Sequence, residues 1–537
     1  MNISHRITEI AKKFPDKRSV VFPQKKSDGS YDYTFYTFKE FEERSNQMAH
    51  KLESLGIKKG TRTLLFVRPC LDFSVLTFSL FKVGAIPVLI DPGMGLTNLL
   101  KSISQVRPEA MISIGLVHWI RRLRPAPFST IKIKISLQSV GGTTHNLYKN
   151  LESFSKSYTP SKMSLDDFSA ILFTSGGTGI PKGVLYTHGI LNAQTDALKD
   201  MFELDETQTD IPGFPLFALF TLAMGMTSVI PDMDPTKPAK CNPENIVKNI
   251  QDQKATFVAG SPSIWMRVGE YCLKNQIQLP TIKHVVMFGA PVRAELHEMF
   301  KKILIGGDTY TPYGATECLP VSLISGSEIL NGLSELTKQG AGTCIGMAVP
   351  GVEIRIIKAS HIPESSLNLL DTNQIGEIVV SGKQVTPAYF EMDDETKKAK
   401  IKTSDGKLWH RMGDVGYFDE AGNLWFLGRK THQVIVDEKA TFYPIQVEAI
   451  FNQHPLIRRS ALIELKNNGL VTPGLAIERF DGKTKLEKSF KEELHRLAQS
   501  SKFTKDIDQF FLFKSFPVDV RHNIKIDRLK LSRLAQK

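Results

Sequence analysis

Residues 168–188 read Phe168-Ser-Ala-Ile-Leu-Phe-Thr-Ser-Gly-Gly-Thr-Gly-Ile-Pro-Lys-Gly-Val-Leu-Tyr-Thr-His188, a glycine-rich, hydroxyl-bearing loop at 173–183 between two apolar runs. Glycines at 176, 177 and 179 let the backbone reach positive φ and turn successive N–H groups inward. Thr174, Ser175 and Thr178 add hydroxyl donors around the same point, and Lys182 brings positive charge to the rim. Such a loop is suited to hold phosphate. It is not the Walker pattern, which needs Gly-Lys-Ser/Thr; here Lys182 follows Pro181 and precedes Gly183. A glycine-rich turn between apolar segments is also the commonplace loop, so the rest of the chain has to decide.

Outward from the loop, apolar β-rich runs at 62–67, 86–90, 255–259 and 284–288 alternate with amphipathic helix patterns at 38–55, 73–83 and 243–253. That alternation predicts α/β layers with parallel sheets. Past residue 331 the strands shorten, at 352–357, 376–380 and 416–426, the last a hairpin turning at Asp419-Glu-Ala-Gly-Asn423. A chain of 537 residues exceeds one core. A boundary at Gly428-Arg429-Lys430 separates 1–428, layered α/β subdomains with a small β-barrel-like one, from a small α+β unit at 429–537 with helices at 444–453 and 486–499.

The net charge of +12 is spread along the chain and interleaved with acids, and no recognised nucleic-acid module or aromatic-plus-basic strip accompanies it. The reading is no nucleic acid. Its one local excess, Lys514, Arg521, Lys525, Arg528, Lys530 and Arg533, suits a polyphosphate. Five scattered cysteines without a Cys-x-x-Cys pair exclude a disulfide scaffold and a structural zinc, and fit a reducing cytoplasm. The N-terminus lacks the apolar core of a signal peptide. The most apolar stretch, 214–230, is broken by Pro215, Thr221, Gly225, Thr227 and Ser228 and falls short of the ~20 residues of a spanning helix, so no integral membrane protein is expected. It reads as the wall of a core or of a pocket for a greasy substrate. Metalloprotease and serine-hydrolase motifs are absent from the sequence.

The loop, Gly289-Ala290-Pro291, Tyr313-Gly314-Ala-Thr316-Glu317, Gly413-Asp414, Gly428-Arg429 and a late Lys525 follow one another in an order and at separations that resemble the adenylate-forming superfamily of acyl-CoA synthetases, firefly luciferase and peptide-synthetase adenylation domains. The resemblance spans nearly the whole chain. It implies ATP and Mg²⁺ as cofactors and attack of a carboxylate on the α-phosphorus. The loop residues and Lys182 would hold the departing pyrophosphate. Glu317 would hold Mg²⁺, and Thr316 would donate to the α-phosphate. Gly289, Ala290 and Pro291 place backbone without bulk beside a flat base, and Tyr313, followed by Gly314, offers a ring to stack on it. Asp414 would accept both ribose hydroxyls, with Arg429 close by at the hinge. Lys525 would swing in on a mobile C-terminal lid and bridge carboxylate and phosphate. His188 matches the family's histidine near the acyl pocket, and equally reads as a hydrogen-bonded structural histidine.

Some residues depart from the common pattern: Gly177 for serine or threonine, Met412 for threonine, His432 at the hinge, and Lys439 with Asp437 and Glu438 where a glycine leaves room for the arm of CoA. Thioester formation is thereby in question, and CoA stays open as a cofactor. Segments 87–95, 229–238, 311–320 and 517–523 resemble the β-lactone synthetases of bacterial olefin biosynthesis. That branch implies a long-chain 3-hydroxy-2-alkyl acid whose adenylate closes on itself, and it is compatible with assembly with other lipid-pathway enzymes. The rival expectation is a fatty acyl-CoA or acyl-carrier-protein ligase. A degenerate nucleotide binder is disfavoured by the joint presence of Glu317, Asp414 and Lys525.

Overall fold

The computed structural model of the chain describes residues 1–174, 181–359, 367–436, 440–467, 469–518 and 526–536. Ser175, Gly176, Gly177, Thr178, Lys525 and residues 437–439 lie outside them, and Thr174 is described in its backbone alone. The apolar run before the loop forms the strand Phe168–Thr174, which pairs antiparallel with Lys182–Thr187 so that Thr174 stands opposite Lys182. A Walker loop leads from strand to helix; here the two sides of the loop are strands of one hairpin.

That hairpin edges a seven-stranded sheet whose other strands, Ile86–Ile90, Arg62–Phe66, Ala110–Ser113, Ile133–Ser136 and His145–Asn146, run parallel in this order. Parallel neighbours require crossovers. One of them is the helix Leu71–Val83, buried on almost every side and stopped by Gly84 at φ +76°. The helix Phe38–Ser54 starts at a capping box, in which Thr37 accepts from the Glu40 N–H and the Glu40 carboxylate accepts from the Thr37 N–H.

The second sheet has nine strands. Its parallel centre, Asp308–Ala315, His284–Met287, Phe257–Gly260, Thr209–Pro212, Thr227–Val229 and Arg18–Lys25, is flanked by antiparallel Cys318–Ser325 and Tyr31–Thr37. The stretch 214–230 supplies the helix Phe217–Ala223 and one of these strands, and Leu222, Met226 and Val229 are buried. It is a wall, as its composition predicts. Among the described residues no helix is long and apolar enough to cross a membrane.

The β-rich part is a six-stranded antiparallel sheet containing the expected hairpin, Leu408–Phe418 with Leu424–Arg429. Its turn is tied by Asp419, which accepts from the Asn423 N–H and from Trp425 Nε1, each at 2.8 Å. Beyond it, Ile457–Asn467, Leu470–Arg479 and Gln509–Phe513 form a three-stranded sheet with the helices Pro444–Phe451, Lys488–Gln499 and Arg528–Ala535. Val447, Phe451, Leu475, Phe490 and Leu494 give this unit a core of its own.

Candidate active site

The three large sheets meet around one turn. Thr316 and Glu317 are the whole connection between Asp308–Ala315 and Cys318–Ser325, because Ala315 already pairs with Cys318. Gly314 allows so tight a return: a Cβ there would stand 2.8 Å from the Cys318 carbonyl oxygen. Tyr186, from the loop hairpin, donates to the Thr316 carbonyl at 2.6 Å. From the far side of the turn, the Thr386 N–H and hydroxyl donate to the Glu317 carbonyl at 2.9 and 3.0 Å. The main chain of the turn is therefore held by the loop hairpin on one hand and by the segment that follows the strand Gly376–Gly382 on the other.

The Glu317 side chain has its own partner, the Tyr389 hydroxyl, which donates to Oε1 at 2.7 Å. Lys182 Nζ lies 4.9 Å from the Tyr389 ring centroid and pairs with Glu395 at 2.9 Å. Lys400 donates to the Thr386 hydroxyl at 3.4 Å, and burial pulls its ammonium down to about 8 against the opposing attraction of Glu317. Thr386, Tyr389, Glu395 and Lys400 carry no motif in the sequence. They reach the turn because Tyr389 bridges Val184 and the Phe390 N–H bonds the Gly183 carbonyl, a long-range pairing that periodicity does not reveal.

Asp414 and Arg429 are cross-strand neighbours in the antiparallel sheet. Asp414 is buried, which raises its carboxyl above the usual range, and Arg429 Nη1 at 3.2 Å from Oδ1 opposes that shift. Oδ2 accepts from the Tyr313 hydroxyl at 2.5 Å. Oδ1, by contrast, accepts no hydrogen bond among the described residues. A buried carboxylate oxygen short of a donor fits a sugar hydroxyl. The sequence leads us to expect Asp414 to accept from both ribose hydroxyls; in the structure its Oδ2 already has a partner in Tyr313, which the sequence does not reveal.

Gly289, at φ +91°, leaves the carboxyl end of the strand His284–Met287, and it and Pro291 are exposed around Ala290. Ligands of parallel sheets bind at such ends. Phe288, just before them, stacks on Phe217 at 5.7 Å, so the apolar wall adjoins this strand end. A cavity bounded by Phe73, Gly213, Pro215, Ala218, Ile230 and Met233 measures only about 20 Å³. That is room for about one water.

His188 stands apart from this cluster. It opens the helix His188–Phe202, is fully buried, accepts from the Ile3 N–H at Nδ1 (3.3 Å) and meets Phe81 edge-on. Burial lowers its pKa to about 4. A folded-state pKa depressed from 6.5 means that stability is full above pH ~6.5 and is lost as pH falls toward 4, by up to about 3 kcal/mol. Denaturant unfolding at pH 7, 6, 5 and 4.5 should show a shallower decline for His188→Gln than for the parent; identical slopes would contradict the buried neutral imidazole.

Among the described residues no group of three or more His, Cys, Asp or Glu side chains could hold a metal. A single carboxylate such as Glu317 still suits Mg²⁺, which is commonly bound by one or two carboxylates together with substrate phosphates.

The AMP-binding enzyme family matches residues 7–390. Two curated relatives are named olefin beta-lactone synthetase. That of Stenotrophomonas maltophilia (strain K279a) is 39% identical over 99% of this chain and 97% of its own, and that of Xanthomonas campestris is 38% identical with the same coverage. The ATP-bound structure of MatB from Rhodopseudomonas palustris superimposes with a TM-score of 0.79 at 20% identity, covering 100% of this chain and 99% of that one, a likeness of fold.

Proposed function

Because this chain belongs to the AMP-binding enzyme family and is an adenylate-forming enzyme, we propose that it activates a long-chain 3-hydroxy-2-alkyl fatty acid and closes the acyl-adenylate to a β-lactone. The observation that carries the substrate and product is the likeness along almost the whole chain to two proteins named olefin beta-lactone synthetase. In the first step a carboxylate oxygen attacks the α-phosphorus of ATP and the bond to pyrophosphate breaks. In the second the substrate's own 3-hydroxyl oxygen attacks the acyl carbon, the bond to AMP breaks and the hydroxyl proton passes to solvent. Intramolecular attack enjoys effective molarities of roughly 10⁵ M or more, less what the strain of a four-membered ring forfeits.

In this proposal Glu317 holds Mg²⁺, presented by a turn that Thr386 and Tyr186 hold rigid. The ion supplies positive charge to the phosphates and the leaving pyrophosphate. Asp414 accepts a ribose hydroxyl at Oδ1, and the Arg429 charge opposes the effect of burial on that carboxylate. Tyr313 with Gly289, Ala290 and Pro291 borders the base. Thr316 donates to the α-phosphate, and Lys182 exchanges Glu395 for the phosphates held by residues 174–178. Residues 1–428 carry the ATP and acyl sites, and 429–537 form the lid that bears Lys525.

Incubation with ATP, Mg²⁺ and a 3-hydroxy-2-alkyl acid, with and without CoA, followed by mass spectrometry, tests the acceptor. Lactone and AMP should form at a rate indifferent to CoA, while a fatty acid lacking the 3-hydroxyl stalls at the adenylate. CoA-dependent conversion of palmitate to its thioester would replace the lactone reading by the ligase and leave adenylation intact.

A further inference from the structure

The helix Gly115–Leu123 carries Leu116, Trp119 and Leu123 at i, i+3 and i+7, and they are 61%, 59% and 77% exposed. An apolar stripe at this spacing ordinarily faces a core. This helix already has an inward face: His118 is buried, and its Nε2 lies 3.2 Å from the Ile135 carbonyl. The stripe is a second apolar face, turned outward.

Its electrostatic setting is one-sided. From Ala110 to Leu151 the sequence contains no aspartate or glutamate, while Arg121, Arg122, Arg124, Lys132, Lys134 and Lys149 fall within it. The Arg122 guanidinium sits 5.0 Å from the centroid of the Trp119 ring, and Arg122 and Arg124 are exposed beside Leu123. An exposed apolar stripe with a tryptophan, flanked by arginines within a stretch of sequence that has no acids, matches a helix lying in the headgroup layer of an anionic bilayer. The helix joins Ala110–Ser113 to Ile133–Ser136, toward the opposite edge of the seven-stranded sheet from the loop hairpin. Docking there leaves the loop side of that sheet uncovered.

We propose that this face docks the protein on an anionic lipid surface, with Leu116, Trp119 and Leu123 entering the boundary between headgroups and acyl chains and Arg122 and Arg124 meeting the anionic headgroups. The attachment is peripheral. Charge complementarity selects lipid over a second copy of the chain, since two such faces would bring like charges together.

Trp119 makes the test direct, because the other three tryptophans, Trp265, Trp409 and Trp425, are at most 3% exposed. The full chain is mixed with phosphatidylcholine vesicles with or without phosphatidylglycerol, and tryptophan emission and cosedimentation are followed. A blue shift and cosedimentation should occur with the anionic vesicles and weaken as salt rises. Leu116→Gln/Leu123→Gln should lower partitioning about tenfold or more, and Arg122→Gln/Arg124→Gln should erase the preference for phosphatidylglycerol. Absence of both signals in the parent protein overturns the proposal, as does binding unchanged in both variants. Self-association in sedimentation velocity that Leu116→Gln/Leu123→Gln abolishes would also overturn it, assigning the face to a second copy. Should a variant fail to fold by circular dichroism, the parent's lipid and salt dependence alone decides.

Discussion

Lys525→Ala should lower adenylation about a thousandfold while leaving the affinity for ATP within about twofold. The acid's carboxylate must approach a phosphorus surrounded by anionic oxygens. A unit charge about 4 Å from such a pair is worth about 4 kcal/mol at the effective dielectric of a protein surface, and that is about three powers of ten in rate. If Mg²⁺ and residues 174–182 hold ATP as proposed, the nucleotide binds before that repulsion has to be overcome, so the loss falls on kcat. Lys525 lies outside the described residues, but the chain on either side is anchored: Val518 bridges Ile526, the Asp527 N–H bonds the Pro517 carbonyl, and Arg528 donates to Glu448 at 3.0 Å. Pyrophosphate release and equilibrium binding of ATP, measured on the same variant, separate the two effects. Near-parental pyrophosphate release would remove Lys525 from the chemistry.

The residues legible in the sequence share a physical mark. Tyr313, Asp414 and Arg429 each adjoin a glycine that the backbone requires, Gly314 for a close strand approach, Gly413 at φ +67° and Gly428 at φ +127°, and Gly289 itself sits at φ +91°. Glycine beside a polar or aromatic group is visible without a structure, whereas the strands Asp308–Ala315 and Leu408–Phe418 that carry Tyr313 and Asp414 are not read in full from the sequence. Tyr389, Thr386, Glu395 and Lys400 had no such marker. Their importance arises from the docking of 386–400 against the strand Lys182–Thr187, a contact between segments far apart in the chain. The same holds for the cavity: composition marks 214–230 as a wall, but the gap of about 20 Å³ depends on how Phe73, Pro215 and Met233 pack together. His188 illustrates the converse, since its neighbours in sequence include the loop and its neighbours in space are Ile3 and Phe81.

Glu317→Gln should cost about a hundredfold or more in turnover at low Mg²⁺, with part of the loss recovered as Mg²⁺ is raised. The substitution separates the two things Glu317 could do. Everything structural about this residue survives in glutamine: its main-chain carbonyl still receives the Thr386 N–H and hydroxyl, and an amide oxygen still accepts from Tyr389. Only the charge is lost. If Glu317 merely shapes the turn, activity and Mg²⁺ titration should both remain parental, and the metal role would have to be withdrawn. If it holds the ion, the Mg²⁺ midpoint moves up while thermal unfolding hardly changes. Tyr389→Phe gives the complementary measurement, because it keeps the charge and deletes the 2.7 Å hydrogen bond that orients it. A hydrogen bond to a charged group contributes about 1.5–3 kcal/mol. The ion can itself compensate an unbonded carboxylate oxygen, so Tyr389→Phe should cost about tenfold in the apparent affinity for Mg·ATP and little in kcat. A charge that binds and a hydroxyl that aims should therefore fail differently, one in its dependence on the metal and the other in KM.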